Sequence, residues 1–302
     1  MKARDTVTVR VPGSTSNCGS GFDTLGLALR LYNRLTLTRR AGAAAGADPG
    51  VDAAVRALVE PAAAAFFQKM GRTPFGFDYT MAGAVPAARG LGSSATVRAG
   101  VIAGLNVLAD AGLASRQIIE LVTALEGHPD NAAPAILGGF CVSRTSPING
   151  AFLDCVRIAV PAELVFVVVA PHVEILTKES RGALPRTVPF FDAVKSVNAA
   201  SFLVAALATH EFKKLRYAVA DFLHEPYRLP ASPGGRQAID AGIAAGALAG
   251  WLSGSGSSVL CVCEAPAAPT VRPAMEAAIT AAKVACEGSW ILTADNDGLA
   301  VE

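Results

Sequence analysis

This chain has few charged residues, few aromatics, and no block of one charge sign. Charged side chains make up 17% and aromatics 6%, and 26 basic against 25 acidic residues leave a net charge of +1. Without a positive surplus, no electrostatic footprint for nucleic acid or an anionic membrane surface is present. Apolar residues reach 52%, but Gly, Pro, Arg or Asp interrupts the runs, so no membrane span is expected. The opening residues, MKARDTVTVRVPGS, lack the apolar core of a signal peptide, and the expectation is a cytoplasmic protein. The six cysteines are scattered and show no metal-ligand spacing, which implies reduced and mostly buried thiols. Cys261-Val-Cys263 reads as strand with both sulfurs on one face.

A chain of 302 residues can bury one large core or two modest ones. Alternating and β-branched runs predict strands over 7–11, 27–38 and 75–81. A Gly/Ala-rich surface loop lies at 41–50, and helices are expected at 52–70, 94–109 and 115–127, the last with Ser115 as its N-cap. After a turn-rich stretch at 145–152, residues 164–170 read as a fully buried strand. Helices at 190–208, 211–224, 234–249 and 269–284 follow, with strands at 258–263 and 289–293. Strands and helices interleave in both halves, which points to an α+β or α/β enzyme with a division near 150.

The segment 86–96 carries the strongest chemistry: Pro86, Ala87, Ala88, Arg89, Gly90, Leu91, Gly92, Ser93, Ser94, Ala95 and Thr96. Gly90 and Gly92 open backbone conformations that other residues avoid and let a ligand approach the amides. A helix begins at the serines, with Val97, Val101, Leu105 and Leu108 on one stripe. Unpaired N–H groups and partial positive charge at such a start suit phosphate. The loop is neither a Walker A sequence nor a dinucleotide fingerprint. Composition alone says anion rather than ATP.

Glu126 is the second anomaly. It shares a helix face with Ile119, Val122 and Leu125, where a carboxylate is costly unless it is paired or bound to metal. Either it reaches solvent from the helix end, or a divalent ion is shared among Glu126, a serine hydroxyl and phosphates.

Three separated segments, VRVPGSTSNCGSGFD (9–23), GLGSSA (90–95) and LSGSGSS (252–258), together resemble the homoserine kinases of the GHMP kinase superfamily. Residues 9–23, VRVPGSTSNCGSGFD, resemble that family's N-terminal motif, with Gly13, Cys18 and Ser20 where Ala, Leu and Pro are usual. GLGSSA (90–95) is similar to its nucleotide loop, and LSGSGSS (252–258) to its C-terminal glycine-rich loop, with Ser257 in place of Pro. GHPDNAAPAILGG (127–139), TKESR (177–181) and HEPYR (224–228) resemble subfamily motifs. The resemblance implies an α+β fold: a ribosomal-S5-domain-2-like ATP-binding domain over 1–150, a ferredoxin-like domain over 151–302, and a site in the cleft between them.

It also implies ATP as donor, Mg²⁺, phosphorylation of the L-homoserine hydroxyl in threonine biosynthesis, and a possible homodimer. By the same resemblance, residues 86–96 hold the ATP phosphates, and Ser94 and Glu126 hold the metal. Arg181 and Arg228 suit the substrate carboxylate. Asp23 suits the ammonium group, and Asn17 and His128 the polar remainder. Asn131 stands near the reacting hydroxyl and cannot usefully accept a proton, so catalysis by positioning and electrostatics is expected, with Asp130 as a rival base. The remaining alternatives are a related kinase for another small hydroxylated acceptor, or a non-catalytic ligand sensor on the same fold.

Overall fold

The computed structural model describes residues 5–42, 45–47 and 51–302. Two long strands, β1 (Thr6–Ser16) and β2 (Leu25–Arg40), pair antiparallel along their length, with one register shift between Pro12 and Gly13. The chain continues through β3 (Ala45–Ala47), α1 (Ala53–Met70), β4 (Gly76–Gly83), α2 (Ser93–Leu108), α3 (Ser115–Glu126) and α4 (Ala132–Leu137). Two further strands, β5 (Phe140–Thr145) and β6 (Phe152–Ile158), complete this half.

The second half runs β7 (Leu164–Pro171), α5 (Thr177–Gly182), α6 (Phe190–Ala208), α7 (Glu225–Arg228), α8 (Gly235–Ala244), β8 (Ala249–Leu252) and β9 (Val259–Glu264). It ends with α9 (Ala268–Ala281), β10 (Cys286–Thr293) and β11 (Ala300–Val301).

The first sheet has the order β11-β1-β2-β4-β3, with β5 pairing both β2 and β6, and only β3–β4 is parallel. The second is antiparallel throughout, in the order β10-β7-β9-β8. Its strands and intervening helices follow a β-α-β-β-α-β sequence, the ferredoxin-like arrangement. The molecule is α+β, as expected. The position 150 falls within the β5–β6 connection, so pairing in the first sheet continues to Ile158 and draws a last strand from residues 300–301.

The run 164–170 is apolar throughout because β7 is covered on both faces. Val165, Val167 and Val169 pack with Ile239 of α8 and Val271 and Met275 of α9, while Phe166 and Val168 pack with Leu27 and Leu29 of β2. Cys261 and Cys263 lie together on the first of these faces, as the alternation requires. A third cluster joins the first sheet to α1–α4 and includes Val97, Val101, Leu105 and Leu108. The apolar contact between the two sheets holds the halves against each other and frames the cleft.

Several local expectations are corrected. Ala114, not Ser115, caps α3: its amide donates to Gln117 Oε1 at 2.9 Å, so the capping acceptor comes from inside the first turn. Residues 211–224 are not one helix; a 3₁₀ segment covers Phe212–Tyr217, and Asp221 then accepts the amides of Leu223, His224 and Glu225 and turns the chain into α7. The helix expected to reach 249 stops at Ala244, where Gly246 takes φ +110° and β8 follows. Within the expected loop 41–50, Ala45–Ala47 pairs with β4; residues 43–44 and 48–50 lie outside the described residues.

One correction touches the membrane reading. α6, 19 residues with a mean hydropathy of 1.4, is by length and composition alone long and apolar enough to cross a membrane. It buries Leu203 and Ala206 in the inter-sheet core and leaves Phe190 and Phe191 76% and 73% exposed.

Candidate active site

The loop before α2 is shaped by close backbone contact. Gly92, the N-cap, and Gly90 both take φ +70°. A Cβ at Gly90 would lie 2.0 Å from Ser253 O, and one at Gly92 would lie 2.4 Å from Ser14 Oγ. No side chain fits either position. The glycine-rich segment 253–256 therefore packs directly on this loop, with Ser253 Oγ donating to Gly90 O at 2.7 Å and Ser258 N to Arg89 O at 3.2 Å.

The start of α2 opens onto a cleft of about 250 Å³. Of the loop residues, Ala87, Ala88, Arg89, Gly90, Gly92, Ser93 and Ser94 line it, whereas Pro86, Leu91, Ala95 and Thr96 do not. Leu91 and Ala95 are buried, and Thr96 Oγ1 donates to Ser93 O at 2.7 Å while accepting from Asn33 Nδ2 at 2.8 Å. These residues hold the loop from behind. Arg89 is 3% exposed and is ion-paired to Glu287 and, at 3.6 Å, to Glu174, so its charge is met by the second half of the chain.

Glu126, at the end of α3, lies against the start of α2. Ser94 Oγ donates to its Oε2 at 3.0 Å, and Arg98 Nη1 lies 2.7 Å from Oε1 with a side chain 8% exposed on the Glu126 side. The Arg98 contact is a charge contact rather than a hydrogen bond: Nη1 donates to Leu125 O at 2.7 Å, and Glu126 Oε1 has no hydrogen-bond donor. The carboxylate is thus buried, paired and one bond short. Oε2 and the Ser94 hydroxyl that meets it are hard-oxygen donors of the kind that Mg²⁺ takes together with phosphate.

Asn131 is fully oriented. Ser14 Oγ donates to its Oδ1 at 2.9 Å, and its Nδ2 donates to Ser16 Oγ at 3.1 Å. Asp130, the rival base, is 2% exposed and hydrogen-bonded to His128 Nδ1 at 2.5 Å. Burial opposes the charge on His128, but the Asp130 carboxylate outweighs it and holds the imidazole pKa above its usual value. Burial likewise opposes the charge on Asp130, and His128 holds that carboxyl below its usual value. Each group thus favours the charged form of the other, and the 2.5 Å contact leaves Asp130 engaged rather than a free base. His128 Nε2 is buried without a partner.

The remaining predicted residues meet on the same wall. Arg181 Nη2 lies 2.6 Å from Asp23 Oδ1. Asn17 Oδ1 accepts the Asp23 amide at 3.1 Å and its Nδ2 donates to Gly254 O at 3.1 Å. Arg228 donates to Ser180 O and Gly254 O, and burial first, then Arg181, lowers its pKa to about 10. Phe22 carries both guanidiniums on its ring, Arg228 at 4.9 Å and Arg181 at 5.4 Å. Ligand atoms of Asp23, His128 and Asp130 lie within 4.8 Å of one another, with His128 and Arg181 meeting the charge of the two carboxylates.

Sequence reasoning missed Ser14, Ser16, Phe22, Arg98, Thr177 and Ser255. Ser16, Thr177 and Ser255 line the cleft, and the others hold residues that do. Ser14, Ser16, Phe22, Thr177 and Ser255 stand inside the quoted motifs, which was the only available signal. Arg98 falls one turn beyond its motif.

Two family models match in order: GHMP kinases N terminal domain over residues 57–139 and GHMP kinases C terminal over residues 203–280. A homoserine kinase of Moorella thermoacetica is 41% identical over 282 residues, 92% of this chain and 94% of that protein. The chain belongs to the homoserine kinases of the GHMP kinase family. A second member of the family, a homoserine kinase of Prochlorococcus marinus, is 36% identical over 89% of this chain and 87% of its own. Among solved structures, the homoserine kinase of Cytophaga hutchinsonii superposes with a TM-score of 0.89 at 26% identity, covering 100% of this chain and 99% of that one. A mevalonate diphosphate decarboxylase from Enterococcus faecalis, at 17% identity and a TM-score of 0.70, shares the fold.

Proposed function

We propose that this chain transfers the γ-phosphoryl group of ATP to the side-chain hydroxyl of L-homoserine. The observation that carries the reading is the convergence of Asp23, His128, Arg181 and Arg228 in the cleft that the α2 loop and Glu126 also line. Opposed charges side by side match a zwitterion, whose carboxylate and ammonium group can meet both; a neutral sugar brings no charge to either.

In this reading the phosphates lie on the loop 86–94 at the start of α2, where amides and the helix dipole favour anions. The base lies against the apolar side of the cleft, formed by Ala54, Val55 and Leu58 of α1 with Val97. Ser94 Oγ and Glu126 would hold Mg²⁺, which neutralises phosphate charge when bound. Arg228 and Arg181 take the substrate carboxylate, Asp23 the ammonium group, and Asn17 and His128 the remaining polar atoms.

Asn131, fixed at both ends by serines, orients the hydroxyl for in-line attack. The hydroxyl oxygen forms the new P–O bond, the γ-phosphorus releases ADP, and the proton leaves to a phosphoryl oxygen or water. Among the described residues that line the cleft, each carboxylate has a cationic partner: Asp130 has His128, Asp23 has Arg181 and Glu126 has Arg98. Positioning and charge stabilisation carry the reaction.

Self-association belongs to the same proposal. The outward face of α6 presents Phe190, Phe191, Val194, Val197 and Phe202, and its two charges, Asp192 and Lys195, neutralise each other at 2.9 Å. An uncharged apolar face is complementary to its own copy.

ADP release with Mg-ATP, measured across L-homoserine, L-serine, mevalonate, shikimate and galactose, tests the acceptor. Turnover with homoserine is expected. Preference for another acceptor overturns the substrate assignment, and no turnover with any of them favours the sensor.

A further inference from the structure

The helix α7 is one turn long, yet it ties together three segments of the pocket. His224 Nε2 donates to Gly19 O at 2.7 Å, in the loop that carries Asn17 and Asp23. Arg228 donates to Ser180 O at 3.3 Å, beside Arg181, and to Gly254 O at 3.4 Å. Glu225 Oε1 accepts the Leu252 amide at 2.7 Å, at the end of β8. A single turn has almost no helical stability of its own, so its place depends on such partners.

Glu225 is the costly member of this set. It is 4% exposed, and burial pushes its carboxyl up to about 7. The groups facing it offer little relief. Asp221 of the same sign lies close by, and Arg236 Nη2 is 3.8 Å away on a side chain 54% exposed. An apolar side chain would serve packing better. What Glu225 does supply is an acceptor for the amide just before Ser253–Gly256. In that loop Gly254 O receives both Asn17 Nδ2 and Arg228 Nη1, and Gly254 N donates to Ser16 O at 3.2 Å.

We propose that Glu225 is a positioning residue for the acceptor pocket: its grip on the Leu252 amide fixes the 253–256 loop against which Asn17 and Arg228 are oriented. The claim rests on the acceptor reading given above. Its consequence falls more on the acceptor pocket than on the nucleotide loop: Asn17 Nδ2 and Arg228 Nη1 bond Gly254 O directly, whereas the loop, which meets this segment at Gly90 O and Arg89 O, is also anchored by Arg89 on Glu287 and by Asn33 on Thr96.

Two measurements on the full chain test it. In steady-state kinetics, Glu225→Ala raises the homoserine KM about tenfold or more, leaves the ATP KM within about twofold, and Glu225→Gln, which keeps an acceptor oxygen, restores the homoserine KM. KM is independent of the folded fraction, so partial misfolding does not mimic the effect. Hydrogen exchange over residues 251–258, which needs no acceptor, speeds up in the Ala variant and stays at the wild-type rate in the Gln variant. Unchanged exchange overturns the proposal, as does an equal rise in both KM values or a Gln variant that behaves like Ala. A wild-type chain inactive on homoserine sinks the acceptor reading instead, and the exchange result still decides the grip on Leu252.

Discussion

Arg181 Nη2 lies 2.6 Å from Asp23 Oδ1, so the proposed acceptor pocket holds an ion pair between the two halves of the chain. Both side chains are about one-third exposed, so solvent limits what this pair adds to stability. Its importance is positional: a zwitterion entering the pocket meets the two charges it needs already side by side.

Asp23→Asn is expected to raise the homoserine KM roughly 100-fold, about 2.8 kcal/mol at 1.4 per decade, with the ATP KM unmoved. The comparison substrate is 4-hydroxybutyrate, which lacks the ammonium group and should lose far less in the same variant. Equal losses for the two acceptors would assign Asp23 to scaffolding alone.

Glu126 has two partners, and they can be separated. Glu126→Gln should lower turnover roughly 1000-fold if the carboxylate holds the metal. It also strands the Arg98 guanidinium, which is 16% exposed, and lowers the melting temperature. Adding Arg98→Met should recover the melting temperature without recovering activity. Restored turnover in the double variant would show that the ion pair, not metal binding, was the source of the loss.

Phe22 supports two like charges on one ring. Phe22→Leu removes that face and is expected to raise the homoserine KM by about tenfold, from two cation–π contacts of about 0.5–1 kcal/mol each. Tyr and Trp at this position should restore it. If Leu, Tyr and Trp behave alike in KM measurements, the stacking contributes nothing.

Glu225 makes folding stability depend on pH. Its folded pKa of about 7 lies above the unfolded value of 4.5, so the protonated form favours the fold. That stability is fully present below pH 4.5 and is lost as pH rises to about 7. Glu225→Gln lacks the loss. Thermal melts should show the Gln variant gaining on wild type between pH 4.5 and 7, then holding a constant advantage on the order of 3 kcal/mol. A gap that does not change with pH refutes the raised pKa.

The α6 face predicts a dimer that charge will split. Val197→Asp, placed where the wild-type side chain is 66% exposed, should convert a sedimenting dimer to monomer with little change in fold. A wild-type monomer at micromolar concentration removes the self-association claim.

The motifs at 9–23, 90–95 and 252–258, with GHPDN, TKESR and HEPYR, were enough by themselves to point to the family, and they contain most of the polar residues that line the cleft, because glycines, serines and charged groups at fixed spacing survive as a readable pattern. The strong apolar run 164–170 and the stripe on α2 were legible for the same reason: periodicity records which faces are covered. The short strands β5, β6 and β8 were not legible. β6 and β8 pair only with the strands next to them in sequence, yet so few residues carry too little pattern to announce a strand, and the pairing of β5 with β2 joins segments more than 100 residues apart. Nor did the sequence disclose how the charges combine. Arg98 on Glu126, Asp130 on His128, Arg181 on Asp23 and Glu225 on the Leu252 amide are all tertiary decisions, since each joins segments or orientations that no spacing fixes. The residue types told which groups the site contains; only the packing of the two sheets told which of them remain free to meet a ligand.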